Sequence, residues 1–239
     1  MIFWICYVLF WLPFHIFAPY KVYGKKNIER KKKYIIVSNH KSNFDPILYD
    51  YVFKSRNRYL AKKELFSSRF KSFFMKNVFG GIAIDREKGL TVAQVKEICQ
   101  VIKSKQNLGI FPEGTRRDGL KKEDQVKGGA CFFAIKTKTP VIPCFVVKKH
   151  RFFRKNVVLV GKPFEFSEFY DKKLDKETLL QAEIKLRDKI VELNTSYQNY
   201  LADKKLVKQL KHAKRAKNGW FYIKLTNFYC FLYSYLQKK

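Results

Sequence analysis

Acid is scarce beside base in this sequence. Lys and Arg number 50 against 20 Asp and Glu, for a formal net charge of +30. That imbalance argues against a cationic partner and for an anionic one: nucleic acid, an anionic membrane surface or a phosphorylated substrate. Cysteines are few and scattered, at 6, 99, 131, 144 and 230. No C-x-x-C pair and no Cys/His ligand cluster occurs, so nothing in the sequence calls for a metal. The thiols read as reduced, mostly buried groups in a cytosolic compartment. G-x-S-x-G is missing, which removes the usual serine-hydrolase elbow. No internal repeat or low-complexity segment is present. Charge itself is absent from the first twenty residues.

That opening stretch, MIFWICYVLFWLPFHIFAPY, carries no charged side chain before Lys21. As one helix it would measure about 30 Å, a hydrocarbon core's thickness. Trp4, Tyr7, Trp11 and Tyr20 suit a membrane interface. Pro13 and Pro19 would kink or end a helix, so a clean span and a shallow re-entrant anchor both fit. A signal peptide would need a basic start and a small-residue cleavage site, and neither is clear. The flank KVYGKKNIERKKK is strongly basic, and such flanks stay on the cytoplasmic side. The expected location is therefore the cytoplasmic face of the cell membrane. Residues 1–20 read as the anchor, 21–200 as the main domain and 201–239 as a basic, aromatic-rich extension.

Beyond the flank, strand-like and helix-like segments alternate. YIIVSN (34–39), RYLA, GGIAID (80–85), NLGIF (107–111), PVIPCFVV (140–147) and NVVLVG (156–161) read as strands. Asp45-Pro46 reads as a helix start, with Asp as N-cap and Pro at the first helical position. Residues 90–104 form an amphipathic pattern with Val92, Val95, Cys99 and Ile102 on one stripe, and 128–137 read as a further helix. From about Asp175 one long stripe runs through Leu179, Ala182, Leu186, Ile190, Leu193, Tyr197 and Leu201. The expected fold class is α/β: a mixed, largely parallel sheet flanked by helices, with an N-terminal membrane-anchoring segment and a helical C-terminal extension.

Chemistry concentrates after the strands, where open α/β sheets place reactive groups. SNHKSNFDP puts His40 just past a strand and Asp45 five residues on. On a continuous helix those side chains would diverge by about 140°; across a strand-to-helix turn they can converge, the carboxylate holding the imidazole in one tautomer. On its own the spacing is common, and Asp45 could be only a cap. FPEGTRR places Glu113 and Arg116 in a Gly-containing loop after a strand, where Arg can grip a phosphate through two parallel hydrogen bonds. GGIAIDRE puts Arg86 just after another strand. Lys127 with the amides of Gly128 and Gly129 marks a helix start suited to an anion.

Taken in order, NHKSNFD, GGIAIDR, FPEGTR and TPVIPCFV resemble the four sequence blocks of the glycerolipid acyltransferase family, in the form of its bacterial members that acylate 1-acylglycerol-3-phosphate. The resemblance covers residues 20–165 or so. It implies that His40 is the general base on the acceptor hydroxyl and Asp45 its orienter, with no acyl-enzyme. It also implies that Arg86, Glu113, Gly114, Thr115 and Arg116, with Lys127 adding charge, shape the acceptor's phosphate and glycerol pocket, and that Pro143 shapes the pocket without reacting. Ala83 departs from the bulkier residue often found in the second block. The implied partners are lysophosphatidic acid, an acyl-CoA or acyl-acyl carrier protein thioester as co-substrate, and an anionic membrane surface. No other cofactor and no nucleic acid is implied. Glycerol-3-phosphate or another lysophospholipid as acceptor remains open, and the contrasting class is a non-catalytic basic protein binding membrane or nucleic acid.

Overall fold

The computed structural model describes residues 2–85, 89–112, 128–150 and 153–216. Seven strands form one sheet: β1 (Tyr20–Tyr23), β2 (Ile35–Ser38), β3 (Arg58–Lys62), β4 (Gly81–Ile84), β5 (Leu108–Ile110), β6 (Val141–Val146) and β7 (Asn156–Val160). Their spatial order is β1-β7-β6-β2-β5-β3-β4. From β6 to β4 every neighbouring pair is parallel, while β7 runs antiparallel to β6 and β1 runs parallel to β7. This is the mixed, largely parallel sheet expected from the strand–helix alternation.

The central strands are apolar because both their faces are covered. Every residue of β2 and β6 is buried. On one face, Ile36, Ile142, Cys144, Val146 and Val158 join Leu48, Tyr49, Val52 and Phe53 of helix α2 (Asp45–Phe53) in a continuous core. Phe14 of α1 (Ile2–Phe17) packs against the same cluster. On the other face lie α4 (Val92–Lys103), α5 (Gly129–Thr137) and the start of α6 (Lys176–Ala216), whose Ala182, Leu186 and Ile190 are fully buried. The first compact unit ends at Asn194. The second, 195–239, is described only to residue 216 and is helical there, with Tyr200, Leu201, Leu206 and Val207 exposed.

Several details differ from the sequence reading. β1 lies inside the basic flank, where Lys21 masks the short apolar alternation of its neighbours, and α3 (Arg69–Asn77) was not foreseen. α4 is amphipathic, but its buried stripe is Ile98 and Ile102; Val92 is 73% exposed, being the first helical residue after a Thr91–Gln94 capping box. α1 continues through Pro13 and stops at Phe17. At 16 residues it is about 24 Å long. Among the described residues no helix is long and apolar enough to cross a membrane. The clean span thus gives way to a short helix that lays one face on the domain. Phe3 and Ala18 are buried, and the Phe14 and Tyr51 rings stack at 4.7 Å. Trp4, Ile5, Val8, Leu9, Phe10 and Leu12 remain outside.

Candidate active site

β2 ends at Ser38 and the chain turns sharply into α2. Asn39 fixes the start of this turn: its Nδ2 donates to Val146 O at 3.0 Å and its Oδ1 accepts from Val146 N at 2.7 Å. That pair of bonds extends the β2–β6 pairing by a side chain, so the next residue leaves the sheet at a set position. The next residue is His40.

Asp45 opens α2, with Pro46 following in the first turn. Its side chain does not cap α2 in the expected way. It points back into the loop, where Oδ2 accepts from the backbone N–H of Lys41 and of Ser42, both at 2.8 Å, and from His40 Nδ1 at 2.8 Å. The five-residue spacing therefore closes across the turn and brings the two side chains together. Two backbone donors hold the carboxylate as an acceptor, so the imidazole must present N–H at Nδ1. Nε2, on the opposite side of the ring, is left as the basic nitrogen. Asp45 is fully buried, whereas 17% of the His40 side chain reaches solvent. The carboxylate is screened from water while the base can meet a substrate.

The imidazole plane is also fixed. Phe111 follows β5, the strand beside β2, and its ring stacks on His40 at 4.3 Å and 21°. Tyr59 of β3 lies parallel to Phe111, with centroids 6.1 Å apart and planes within 9°. Three rings from three adjacent strands form a ladder. Gly109 makes room for it: a Cβ there would sit 2.3 Å from the Tyr59 ring. The Tyr59 hydroxyl donates to Pro46 O at 2.8 Å and lies 3.0 Å from Asp50 Oδ1. Asp50 also accepts from Asn57 N and Nδ2, and burial pushes its carboxyl well above the usual range against those donors. From the sequence alone Asn39, Tyr59, Asp50 and Gly109 had no chemical role, and Phe111 none beyond closing a strand and opening a motif. The available signal was that Gly109 and Phe111 sit two apart in NLGIF, a segment that reads as a strand, hence on one face.

His150, also unforeseen, follows β6 and stacks on Phe44 at 5.1 Å and 28°. Burial holds its imidazole below the ordinary histidine range, against the pull of Asp45. Phe44, next to Asp45, forms part of an apolar groove of about 400 Å³. Tyr7, Phe10 and Phe14 of α1 line one bank. Ile47 and Tyr51 of α2 and Phe74 of α3 line the rest. The lining thus includes Phe44, the sequence neighbour of Asp45.

The other expected site residues fare differently. Arg86, Glu113, Gly114, Thr115, Arg116 and Lys127 lie outside the described residues. Gly128 and Gly129 do begin a helix, α5, but a Cβ on Gly128 would meet Glu183 Oε1 at 2.2 Å. A carboxylate of α6 thus lies beside Gly128, and burial raises its pKa. Pro143 sits inside β6, its carbonyl accepting from Gly161 N at 2.8 Å. Among the described residues no group of His, Cys, Asp and Glu is arranged to hold a metal ion.

Comparison with known proteins shows the family and the fold. A 1-acyl-sn-glycerol-3-phosphate acyltransferase of Borreliella burgdorferi is 34% identical over 140 residues, 57% of this chain and 54% of that protein. One of Bacillus subtilis is 27% identical over 155 residues, 62% of this chain and 75% of that protein. The chain thus spans about half the length of the Borreliella relative. The crystal structure of the 1-acyl-sn-glycerophosphate acyltransferase of Thermotoga maritima shares the fold, with a TM-score of 0.52 and 24% identity, covering 72% of this chain and 70% of that one. The family model described as Acyltransferase matches residues 19–147, from β1 through the strand behind the dyad. With more than half of its length matched and the paired imidazole and carboxylate inside that span, this chain belongs to the acyltransferase family.

Proposed function

We propose that this protein transfers a fatty acyl group from a thioester to the free hydroxyl of a 1-acylglycerol-3-phosphate, giving phosphatidic acid and a thiol. The observation that carries this reading is the His40–Asp45 contact of 2.8 Å, with the remaining ring nitrogen directed away from the carboxylate. An alcohol does not ionise near neutral pH, so it needs a base at the moment of attack. His40 Nε2 takes the hydroxyl proton as the oxygen attacks the thioester carbonyl carbon. Asp45 stabilises the imidazolium that forms. The tetrahedral intermediate collapses with loss of thiolate, which takes the proton back from Nε2. Nothing is transferred to the protein, and no second nucleophile is required.

The groove beside Phe44 supplies the second part of the reading. An acyl chain lying between α1 and α2 would bring its carboxyl end to the dyad, and the groove's aromatic lining is chemically matched to it. Arg86, Arg116 and Lys127 would neutralise the acceptor phosphate, with Glu113, Gly114 and Thr115 forming the loop around its glycerol. The donor is acyl-CoA or acyl-acyl carrier protein. The exposed apolar face of α1, followed by the Lys-rich segment 21–33, suits an interfacial helix on the cytoplasmic leaflet, where acceptor and product reside.

The test is direct. Purified full-length protein in detergent is given both donors and a panel of acceptors: 1-acylglycerol-3-phosphate, glycerol-3-phosphate and uncharged lysophospholipids. Ester formation with the first is the expected result. Ester formation only with another acceptor would move the substrate within the family, and none with any acceptor would remove the proposal.

A further inference from the structure

α3 lies at the surface of the fold. Its nine residues include none that is buried, although three are phenylalanines. Phe70 is 73% exposed and Phe73 46%. Phe70, Phe73 and Phe74 recur at helical spacing and touch, with ring centroids 4.7 and 5.8 Å apart, so they form one continuous apolar face. Leu65, in the short 3-10 turn Lys63–Phe66 just before the helix, is 49% exposed. Arg69, Lys71 and Lys76 are exposed around this face, and α3 carries no acid. Contiguous aromatic surface rimmed by cations is costly to leave in water and calls for a partner.

The helix is nevertheless firmly held. Ser68 caps its start, accepting from Lys71 N at 3.2 Å. At its end Arg56 Nη2 donates to Lys76 O at 2.9 Å and Asn77 O at 3.0 Å. The same guanidinium lies 5.7 Å from the ring of Phe3 in α1. One arginine therefore ties α1 to α3, and Phe3 and Phe74 both line the apolar groove. α1 and α3 both contribute to its lining alongside α2, and each turns further aromatic side chains outward.

We propose that α3 is a second lipid-contacting element, in which Leu65, Phe70 and Phe73 enter the headgroup–acyl boundary of an anionic leaflet while Arg69, Lys71 and Lys76 meet its headgroups. Charge selects this occupant. A second copy of a chain with net charge +30 would bring like-charged rims together, whereas an anionic leaflet neutralises them. The arrangement gives the groove a mouth open to lipid, so an acyl chain enters without crossing water. The proposal rests on the membrane reading above but adds a surface distinct from the N-terminal helix.

The test uses full-length protein with vesicles of phosphatidylcholine, with and without phosphatidylglycerol. Hydrogen exchange of wild-type α3 should slow when anionic vesicles are added. Phe70→Ser combined with Phe73→Ser should weaken co-sedimentation with them by about tenfold or more. Lys71→Gln and Lys76→Gln should each weaken it by about fivefold, only when phosphatidylglycerol is present. Unchanged exchange in α3 on vesicles that do bind the protein would overturn this inference while leaving α1 as the anchor. Absence of any vesicle binding by the wild type would overturn the membrane reading and this inference together. A lipid-free dimer that the double Phe variant converts to monomer would assign the face to a second copy and refute the proposal. Because the exchange measurement needs no substitution, misfolding of a variant leaves the inference testable.

Discussion

Replacing Asp45 by Asn separates geometry from charge at the dyad. The oxygen that accepts from His40 also accepts from two backbone amides, all at 2.8 Å. In the variant the amide oxygen must keep that position, because an NH₂ group there would face two N–H donors. The imidazole therefore retains its tautomer and loses only the negative charge behind it. At 2.8 Å and an effective dielectric of about 20, a carboxylate attracts an imidazolium by about 6 kcal/mol. Solvent at the exposed edge of His40 reduces that figure. A loss of about 3–5 kcal/mol in the transition state corresponds to about 10²–10⁴ in kcat, the range expected for a positioned general base. The NH₂ group also takes the place of Asp45 Oδ1, which is buried without a hydrogen-bonding partner among the described residues. A buried unpaired donor costs about 1–3 kcal/mol of stability, offset in part by removal of a buried charge. The assay is initial-rate release of thiol from an acyl thioester with 1-acylglycerol-3-phosphate in mixed micelles, alongside thermal melting. A folded variant within threefold of wild-type kcat would refute the assignment of Asp45 as the charge behind the base.

Further outcomes follow from the ring ladder and its support. Phe111→Leu, which keeps bulk but removes the ring, should lower kcat about three- to tenfold, and Phe111→Tyr should retain most activity; equal rates for both would show that stacking does not position the imidazole. Gly109→Ala should drive a methyl into the Tyr59 ring, destabilising the fold by about 1–3 kcal/mol in denaturant titrations, and a neutral result would mean that Tyr59 moves freely. Asp50 binds a proton more tightly folded than unfolded, so its contribution to stability is full below the unfolded pKa and is lost as pH rises towards the folded one. Its donors, Asn57 N and Nδ2, both meet Oδ1, as does the close Tyr59 hydroxyl oxygen, and an amide oxygen can take that position. Asp50→Asn should therefore fold and remove this downward slope above pH of about 4 in stability-versus-pH measurements; an unchanged slope would contradict the raised pKa.

The sheet was legible because parallel central strands, covered on both faces, must be written as short apolar runs, and β2, β5, β6 and β7 are. β1 was not, since at the edge of the sheet it needs only half its residues apolar and carries Lys21 outward. α3 escaped for a related reason: its apolar face is not buried and follows no core. The His40–Asp45 pairing could be anticipated from a strand-to-helix turn, yet the direction of Asp45 could not. Capping α2 and holding the loop demand the same residue type, and only three-dimensional geometry shows the second. The ladder of His40, Phe111 and Tyr59 depends on strand order β2-β5-β3, which no local pattern encodes.

The central claim is that the His40 imidazole takes the proton from a lipid hydroxyl. It is tested most directly by comparing turnover of wild type and His40→Ala, with acyl thioester and 1-acylglycerol-3-phosphate at saturation and both proteins shown to be folded. The account predicts a fall in kcat of about 10²–10⁴ with vesicle binding retained. Ester formation by His40→Ala at the wild-type rate would contradict it.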